Sequence, residues 1–264
     1  MRAATPPTCW SAGCEGSPGL RIGAVTGRLL GIGVGPGDPE LLTLKAVRLL
    51  REAAVVAYPT ARAGDGIALR AAAPHLLPHQ ERLALVYPAT GARAAEMADY
   101  DAAMRAFYDE TAERLAARLE AGADVAVLCE GDPFFYGSFM YWYRRLSRRF
   151  ETVVVPGISS VTAAPAAAGR PLCHREDVLA VIPGTLDEHK IAERLGSGGP
   201  AVVIKLGRNA AKVRRALASA GVLSRALCVE RATMAGQRIR PAAEMADVPY
   251  FSLVLVPPAE WDEP

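Results

Sequence analysis

The sequence has few cysteines for its length, and their arrangement excludes a disulfide-stabilised secreted domain. Five cysteines occur in 264 residues, an odd number without regular spacing. Small secreted domains instead carry a dense and even set of cysteines. The sparse set is typical of a reducing cytoplasm, where we expect this protein to reside. The five are Cys9, Cys14, Cys129, Cys173 and Cys228.

Long hydrophobic runs are also lacking, because charged residues or prolines interrupt every candidate. A membrane-spanning helix needs about 20 consecutive apolar residues, so we expect no contact with a membrane. Residues 1–27 are rich in glycine, proline, serine, threonine and alanine, without the continuous apolar core of a secretory signal. We expect this segment to be a disordered N-terminal extension.

The formal net charge is only +2, so no strong excess of either sign is present. Nucleic-acid-binding proteins draw their phosphate contacts from a strongly basic face, and we expect no nucleic-acid partner here. Four arginines are close together, namely Arg144, Arg145, Arg148 and Arg149. The planar guanidinium suits bidentate binding of carboxylates, although such a run is more commonly a solvated helix face.

Apolar runs alternate with helical patterns, which predicts an α/β protein with two α/β domains, at 28–157 and 158–264. A buried strand is predicted at Leu29–Val34, followed by a glycine turn and a helix that Asp38 caps. Alternation of strands and helices favours a mostly parallel sheet covered on both faces. The other elements predicted in this domain are strands at Ala53–Ala57, Leu83–Tyr87, Val125–Cys129 and Thr152–Val155 and a helix at Asp101–Ala121.

The second domain is predicted to begin with an alanine-rich helix, Val161–Ala168. Two further helices are expected at Glu188–Leu195 and Ala210–Ala220. The predicted strands are Val178–Ile182, Ala201–Leu206, Ala226–Glu230 and Phe251–Val256.

Glycines are concentrated in the first strand-to-helix turn, Gly31-Ile-Gly-Val-Gly-Pro-Gly-Asp38. Such a turn lets the backbone approach a ligand closely. It does not fit the dinucleotide fingerprint, because the position that needs the third glycine falls on Pro36, Asp38 or Glu40. A nicotinamide-dependent oxidoreductase remains the alternative from a different class, and a purely structural turn is equally compatible with the loop.

Two more glycine-containing loops follow predicted strands. Residues 129–138, Cys-Glu-Gly-Asp-Pro-Phe-Phe-Tyr-Gly-Ser, place a carboxylate and three aromatic rings between two glycines. Aromatic rings beside carboxylates suit a cationic sulfonium and an adenine ring, although a turn with core aromatics has the same composition. Residues 156–160, Pro-Gly-Ile-Ser-Ser, enter a helix, and their hydroxyls could serve as helix caps.

The three loops together resemble the tetrapyrrole methylase family of the cobalamin and sirohaem pathways. That family carries a GxGPGDxxLLTxxA opening, here Gly33–Ala46, then a GDPxxxG loop and a PGxSS turn. The resemblance covers residues from about 28 to 256. The fuller run from Cys129 to Tyr141 is most similar to the branch that methylates C20 of precorrin-2.

The resemblance implies a homodimer of two-domain α/β chains that binds S-adenosyl-L-methionine between the domains, with the tetrapyrrole in an adjacent trough. Because the tetrapyrrole carries many carboxylates, Arg144 and Arg145 become candidates for binding it. Carried over by motif, the cofactor-binding residues are Pro36, Glu130, Gly131, Asp132, Phe135, Ser159 and Ser160, with Leu206 and Ala232 as looser matches.

No catalytic base is identified from the sequence. Uroporphyrinogen methylases resemble this chain but place an acidic residue after a tyrosine at the end of the second strand, where this chain has Tyr58-Pro59-Thr60. Asp38 and Asp132 are loop carboxylates whose simpler roles are in a cap and a turn. No metal site is expected, because prolines precede both His75 and His79, so the pair does not share a regular helix face.

Overall fold

The computed structural model describes residues 26–62, 64–90 and 97–259, so Cys9, Cys14 and nearly all of the predicted N-terminal extension lie outside it. The first sheet has five parallel strands in the order β3-β2-β4-β1-β5. Its strands are β1 (Leu29–Gly33), β2 (Val55–Thr60), β3 (Glu81–Val86), β4 (Val125–Cys129) and β5 (Thr152–Val155).

Helices cover both faces of this sheet, as the alternation predicted. Helices α1 (Leu44–Glu52) and α2 (Ile67–Ala72) pack on one face. Helices α3 (Tyr100–Glu120) and α4 (Phe139–Leu146) pack on the other, where Trp142 is fully buried. The indole N–H of Trp142 donates to Thr111 Oγ1 at 2.9 Å, which satisfies the one polar group of that side chain.

The turn after β1 corrects the predicted helix start. Asp38 caps only a single 3₁₀ turn, Pro39–Leu41, by accepting a hydrogen bond from the Glu40 amide at 2.9 Å. Helix α1 begins later, and its cap is Thr43, whose hydroxyl accepts from the Ala46 amide at 3.1 Å. Leu42 leaves the 3₁₀ turn in an extended conformation, so the two pieces cannot form one helix.

The second sheet is mixed. Its strands are β6 (Ala180–Pro183), β7 (Ala201–Ile204), β8 (Leu227–Glu230), β9 (Arg238–Pro241) and β10 (Ser252–Val256), in the order β6-β7-β10-β8-β9. Only β6 and β7 pair in parallel, and the other three pairs are antiparallel. Helices α5 (Ser160–Ala168), α6 (Glu188–Leu195) and α7 (Ala210–Ser219) complete this half.

Helix α5 packs on one face of the second sheet, against Val202 and Leu253, while α6 and α7 cover the other face. The chain therefore forms two α/β domains, as predicted; the limits 28–157 and 158–264 stay a prediction. Within the described ranges, none of the helices combines the length and hydrophobicity of a transmembrane segment.

Candidate active site

The three glycine loops meet at the carboxyl ends of β1, β4 and β5, which are neighbours in the first sheet. Gly35 and Gly131 exchange backbone hydrogen bonds of 2.8 and 3.3 Å. A Cβ on Gly157 would lie 2.0 Å from the Gly131 carbonyl oxygen and 2.8 Å from Gly33 Cα. The loops therefore touch backbone to backbone, at a separation that leaves no space for a side chain at Gly157.

Asp132 ties two of these loops together. One carboxylate oxygen accepts hydrogen bonds from the amides of Phe134 and Phe135, at 2.8 and 3.1 Å. The other oxygen accepts from the Gly157 amide at 3.1 Å, across to the loop that follows β5. Both oxygens are thus engaged with the backbone, and Asp132 has a structural role whatever else it contacts.

A cavity opens beside these loops and is closed on its far side by the second domain. Eight of the nine cofactor-binding residues predicted from the sequence line it: Pro36, Glu130, Gly131, Asp132, Phe135, Ser159, Ser160 and Ala232. The structure thus brings together loops that are separated by about a hundred residues in sequence. That these residues contact a cofactor stays a prediction.

Leu206 is the predicted residue that does not line this cavity. Its side chain is 1% exposed and belongs to the core of the second domain. Its neighbours Ile204 and Lys205 line the cavity instead. The Lys205 ammonium lies 5.3 Å from the centre of the Tyr136 ring, and this cation–π contact joins the second domain to the first.

A second cavity, of about 780 Å³, adjoins the first, since Met234 and Phe251 line both. Its volume lies in the range of about 300–1,000 Å³ that is typical of ligand sites. Arg70 and Arg231 line it, together with Asp38 and the start of α2. We call this cavity the trough.

Arg144 and Arg145 line neither cavity. Both lie on α4, where Arg144 is exposed and Arg145 donates to Asp109 at 2.7 Å. The solvated-face reading of the arginine run fits these positions. That Arg144 and Arg145 bind substrate stays a prediction, and among the described residues the arginines that line a cavity are Arg70 and Arg231.

Strained backbone is concentrated around the two cavities. Five residues other than glycine have positive φ among the described residues, and four of them line a cavity: Tyr136 (56°), Lys205 (59°), Arg231 (50°) and Thr233 (65°). Such conformations cost on the order of 1 kcal/mol or more each and occur preferentially at functional sites. Their positions support a ligand-binding role for both cavities.

Within the part of the chain that the structure describes, two buried hydroxyls at the cavities have no hydrogen-bond partner, Ser252 Oγ in the first and Thr233 Oγ1 in the trough. An unpaired buried hydroxyl costs about 1–3 kcal/mol, which a bound polar ligand would recover. The aromatic rings, carboxylates and free hydroxyls of the first cavity fit the adenosine and sulfonium groups of S-adenosyl-L-methionine.

The electrostatics of the first cavity centre on Glu130. Desolvation by the surrounding protein raises the pKa of Glu130 to about 6, although the backbone N–H of Ala68 and the charge of Arg70 act in the opposite direction. The side chain remains accessible from the cavity. Burial also raises the pKa of Tyr250, which lies in the same lining, so this phenol stays neutral and able to donate.

The sequence did not identify Arg70, Lys205, Arg231, Met234 or Tyr250 as site residues. Tyr136 belongs to the second motif and could have been included on that ground. The others come from segments without a glycine motif, and their common signal, positive φ or exposure in a cavity, is visible only in the fold.

Several curated proteins resemble most of this chain. The cobalamin biosynthesis protein CobIJ of Mycobacterium tuberculosis is 49% identical over 88% of the chain, which spans only 46% of that relative's length. A precorrin-2 C(20)-methyltransferase of Sinorhizobium is 48% identical over 89% of the chain and 97% of the relative. A cobalt-precorrin-2 C(20)-methyltransferase of Salmonella typhimurium is 31% identical over 88% and 97%.

Among solved structures, a uroporphyrin-III C-methyl transferase from Thermus thermophilus complexed with S-adenyl homocysteine superposes with a TM-score of 0.60. It is 27% identical and covers 88% of this chain and 92% of its own. Residues 28–246 match the model of the tetrapyrrole (corrin/porphyrin) methylases. This match takes in both domains and all three glycine loops. The chain belongs to the tetrapyrrole methylase family.

Proposed function

We propose that the protein transfers a methyl group from S-adenosyl-L-methionine to C20 of precorrin-2, giving precorrin-3A in cobalamin biosynthesis. The observation that carries the proposal is the 48% identity to the Sinorhizobium precorrin-2 C(20)-methyltransferase over 97% of that protein. The cavity supports it independently, because residues of all three motifs line one space.

S-adenosyl-L-methionine, when bound, supplies an electrophilic methyl group on its sulfonium. We propose that the first cavity holds it, with Phe135 and Tyr136 as the aromatic surfaces and Ser252 as a hydroxyl partner. The residues need no activated nucleophile for this chemistry. Holding donor and acceptor in contact and excluding water can supply about 7–11 kcal/mol of the barrier reduction.

The acceptor is proposed to lie in the trough, where Arg70 and Arg231 face its carboxylates. Arg70 pairs with Asp65, so binding the substrate would exchange one carboxylate partner for another. Arg70→Ala should raise KM for precorrin-2 about tenfold, the scale of one lost charge-assisted contact. Arg144→Ala, on the outer face of α4, is the matched control and should leave KM unchanged. A raised KM for Arg144→Ala with an unchanged KM for Arg70→Ala would instead support the prediction that Arg144 binds the substrate.

The alternative substrate is the cobalt-containing factor II of the oxygen-independent pathway. Identity to the Salmonella cobalt-precorrin-2 enzyme is 31%, against 48% to the Sinorhizobium enzyme, and this difference favours the metal-free substrate. Incubating the purified protein separately with precorrin-2 and with cobalt-factor II, with labelled methyl donor, tests the choice. Faster methylation of the cobalt compound would reverse it.

We also propose a homodimer in the cytoplasm. The support is the family resemblance, together with a reducing environment indicated by the sparse cysteines; Cys129, Cys173 and Cys228 are free thiols. Sedimentation equilibrium of the purified protein tests the assembly, and a single species of 27.9 kDa would contradict it.

A further inference from the structure

Among the described residues, three acidic ones line the two cavities, and two of them have carboxylates that accept hydrogen bonds from backbone amides. Asp132 accepts three backbone hydrogen bonds, and Asp38 caps the 3₁₀ turn after β1. Glu130 differs, because its carboxylate makes no hydrogen bond to the loop that carries it and stays open to the first cavity.

The backbone fixes Glu130 firmly. It follows β4 directly, at the centre of the first sheet, and precedes Gly131, which is held by its hydrogen bonds to Gly35. A carboxylate carried on such a support keeps its position when ligands bind.

Glu130 is also linked electrostatically to a residue of the trough. The groups of α2 that act on its carboxylate are the Ala68 amide and the Arg70 guanidinium, and Arg70 lines the trough. The carboxylate therefore lines the first cavity, proposed for the methyl donor, and this cavity adjoins the trough, proposed for the acceptor, because Met234 and Phe251 line both.

We propose that Glu130 is the catalytic proton acceptor of the methylation, an inference that rests on the proposed function. When C20 gains the methyl group, its double bond supplies the electron pair of the new carbon–carbon bond, and the former donor sulfur keeps the pair of the broken bond. C20 then carries both methyl and hydrogen. The C–H bond breaks, its electron pair restores the double bond, and the proton passes to a Glu130 carboxylate oxygen.

The charge environment suits this role. The groups facing Glu130 are Arg70 from α2, Tyr250 from the segment before β10, Tyr87 after β3 and Asp132 in the same loop. Both phenols have raised pKa values and stay neutral near pH 7. A base works best when its pKa is close to the working pH, and the pKa of Glu130 is about 6.

These groups predict how the rate of methylation falls at low pH. The active form is the carboxylate, so kcat/KM, which reports the free enzyme, should be full well above pH 6 and fall as the pH drops through about 6.

Glu130→Gln keeps the shape of the side chain and removes its ability to accept a proton. Its kcat for precorrin-2 should fall about 100-fold or more, and the fall in kcat/KM near pH 6 should disappear. With substrate deuterated at C20, the Glu130→Gln variant should show a larger isotope effect on kcat than the wild type does. The Kd of S-adenosylhomocysteine, measured by calorimetry, should stay within about threefold, and Glu130→Asp should recover part of the rate.

Glu110→Gln, at an exposed position on α3, is the matched control and should retain wild-type kcat. The proposal is overturned if kcat of Glu130→Gln stays within about threefold of the wild-type value. It is also overturned if the substitution weakens only the affinity for S-adenosylhomocysteine, since Glu130 would then only bind cofactor. Failure of the proposed function is read from the wild-type protein alone: absence of methyl transfer to precorrin-2 overturns both.

Discussion

Replacing Asp132 by alanine separates a turn-holding carboxylate from a cofactor ligand. The change removes the acceptor for three backbone amides, those of Phe134, Phe135 and Gly157. The first two amides are exposed, so water can replace the carboxylate. The Gly157 amide is partly buried where the loops meet and would be left without a partner.

The cost can be estimated from these three contacts. An unpaired buried amide costs about 1–3 kcal/mol, and the two hydrated amides add little. We expect Asp132→Ala to lower the free energy of unfolding by about 2 kcal/mol, a fall in melting temperature of about 4–8 °C for a chain of this size. Asp132→Asn keeps an oxygen towards Phe134 but turns an amide group towards the Gly157 N–H, which again lacks an acceptor, so we expect a similar loss.

Thermal melts and calorimetric titration with S-adenosylhomocysteine, performed on the same preparations, provide the assay. Well below the melting temperature, the affinity of Asp132→Ala for S-adenosylhomocysteine should stay within about threefold of the wild type. A tenfold weaker affinity with an unchanged melting temperature would refute the reasoning, because the carboxylate would then be contacting the cofactor rather than holding the loops.

Three further outcomes are expected. S-adenosylhomocysteine at a hundredfold excess over its Kd should stabilise the protein by about 2.7 kcal/mol, and no shift in a saturating thermal melt would contradict the proposed cofactor. Gly157→Ala should destabilise the protein by more than about 3 kcal/mol and abolish binding of that ligand, because its Cβ would lie 2.0 Å from the Gly131 carbonyl oxygen. Gly169 has positive φ but open space around it, so Gly169→Ala should cost only about 1 kcal/mol in the same melts. Equal losses of stability in the two variants would show that steric contact at Gly157 is not the cause. Asp124→Asn should lose about 1 kcal/mol at pH 7. Burial of Asp124 acts to raise its pKa, but hydrogen bonds from Arg28 lower it overall. The wild-type advantage is therefore present above the ordinary aspartate value of about 3.9 and disappears as the pH falls through the lower folded value. Denaturant titrations at pH 7 and pH 3 measure it, and a gap that does not change with pH would contradict the assignment.

Buried elements could be predicted from the sequence because each carries its own pattern. Strand β4, Val125–Cys129, was predicted with its observed limits, since a run of apolar residues is bounded by an aspartate and by a glutamate with glycine. The N-cap of α1 was misplaced because Asp38 and Thr43 are both good caps, and only the fold decides which one starts the α-helix.

Strand β9 was not predicted. Its sequence, Arg-Ile-Arg-Pro, has no apolar run and lies at the edge of the second sheet, mostly exposed. What makes it a strand is its antiparallel pairing with β8, which local sequence does not report. The same reason explains Arg70 and Arg231 at the trough, because their role depends on which distant segments face them.

The backbone contact among Gly33, Gly131 and Gly157 has a consequence for how such proteins can diverge. A larger residue at Gly157 would displace the chain at the other two positions, so no one of the three loops can change its path independently. Related sequences must therefore keep or lose the three loops together. Substitutions that leave the loops intact are restricted to residues whose side chains point away from the contact. Side chains such as Lys205 and Met234, which face the cavities rather than this contact, are free to vary and so can adapt one scaffold to different acceptors.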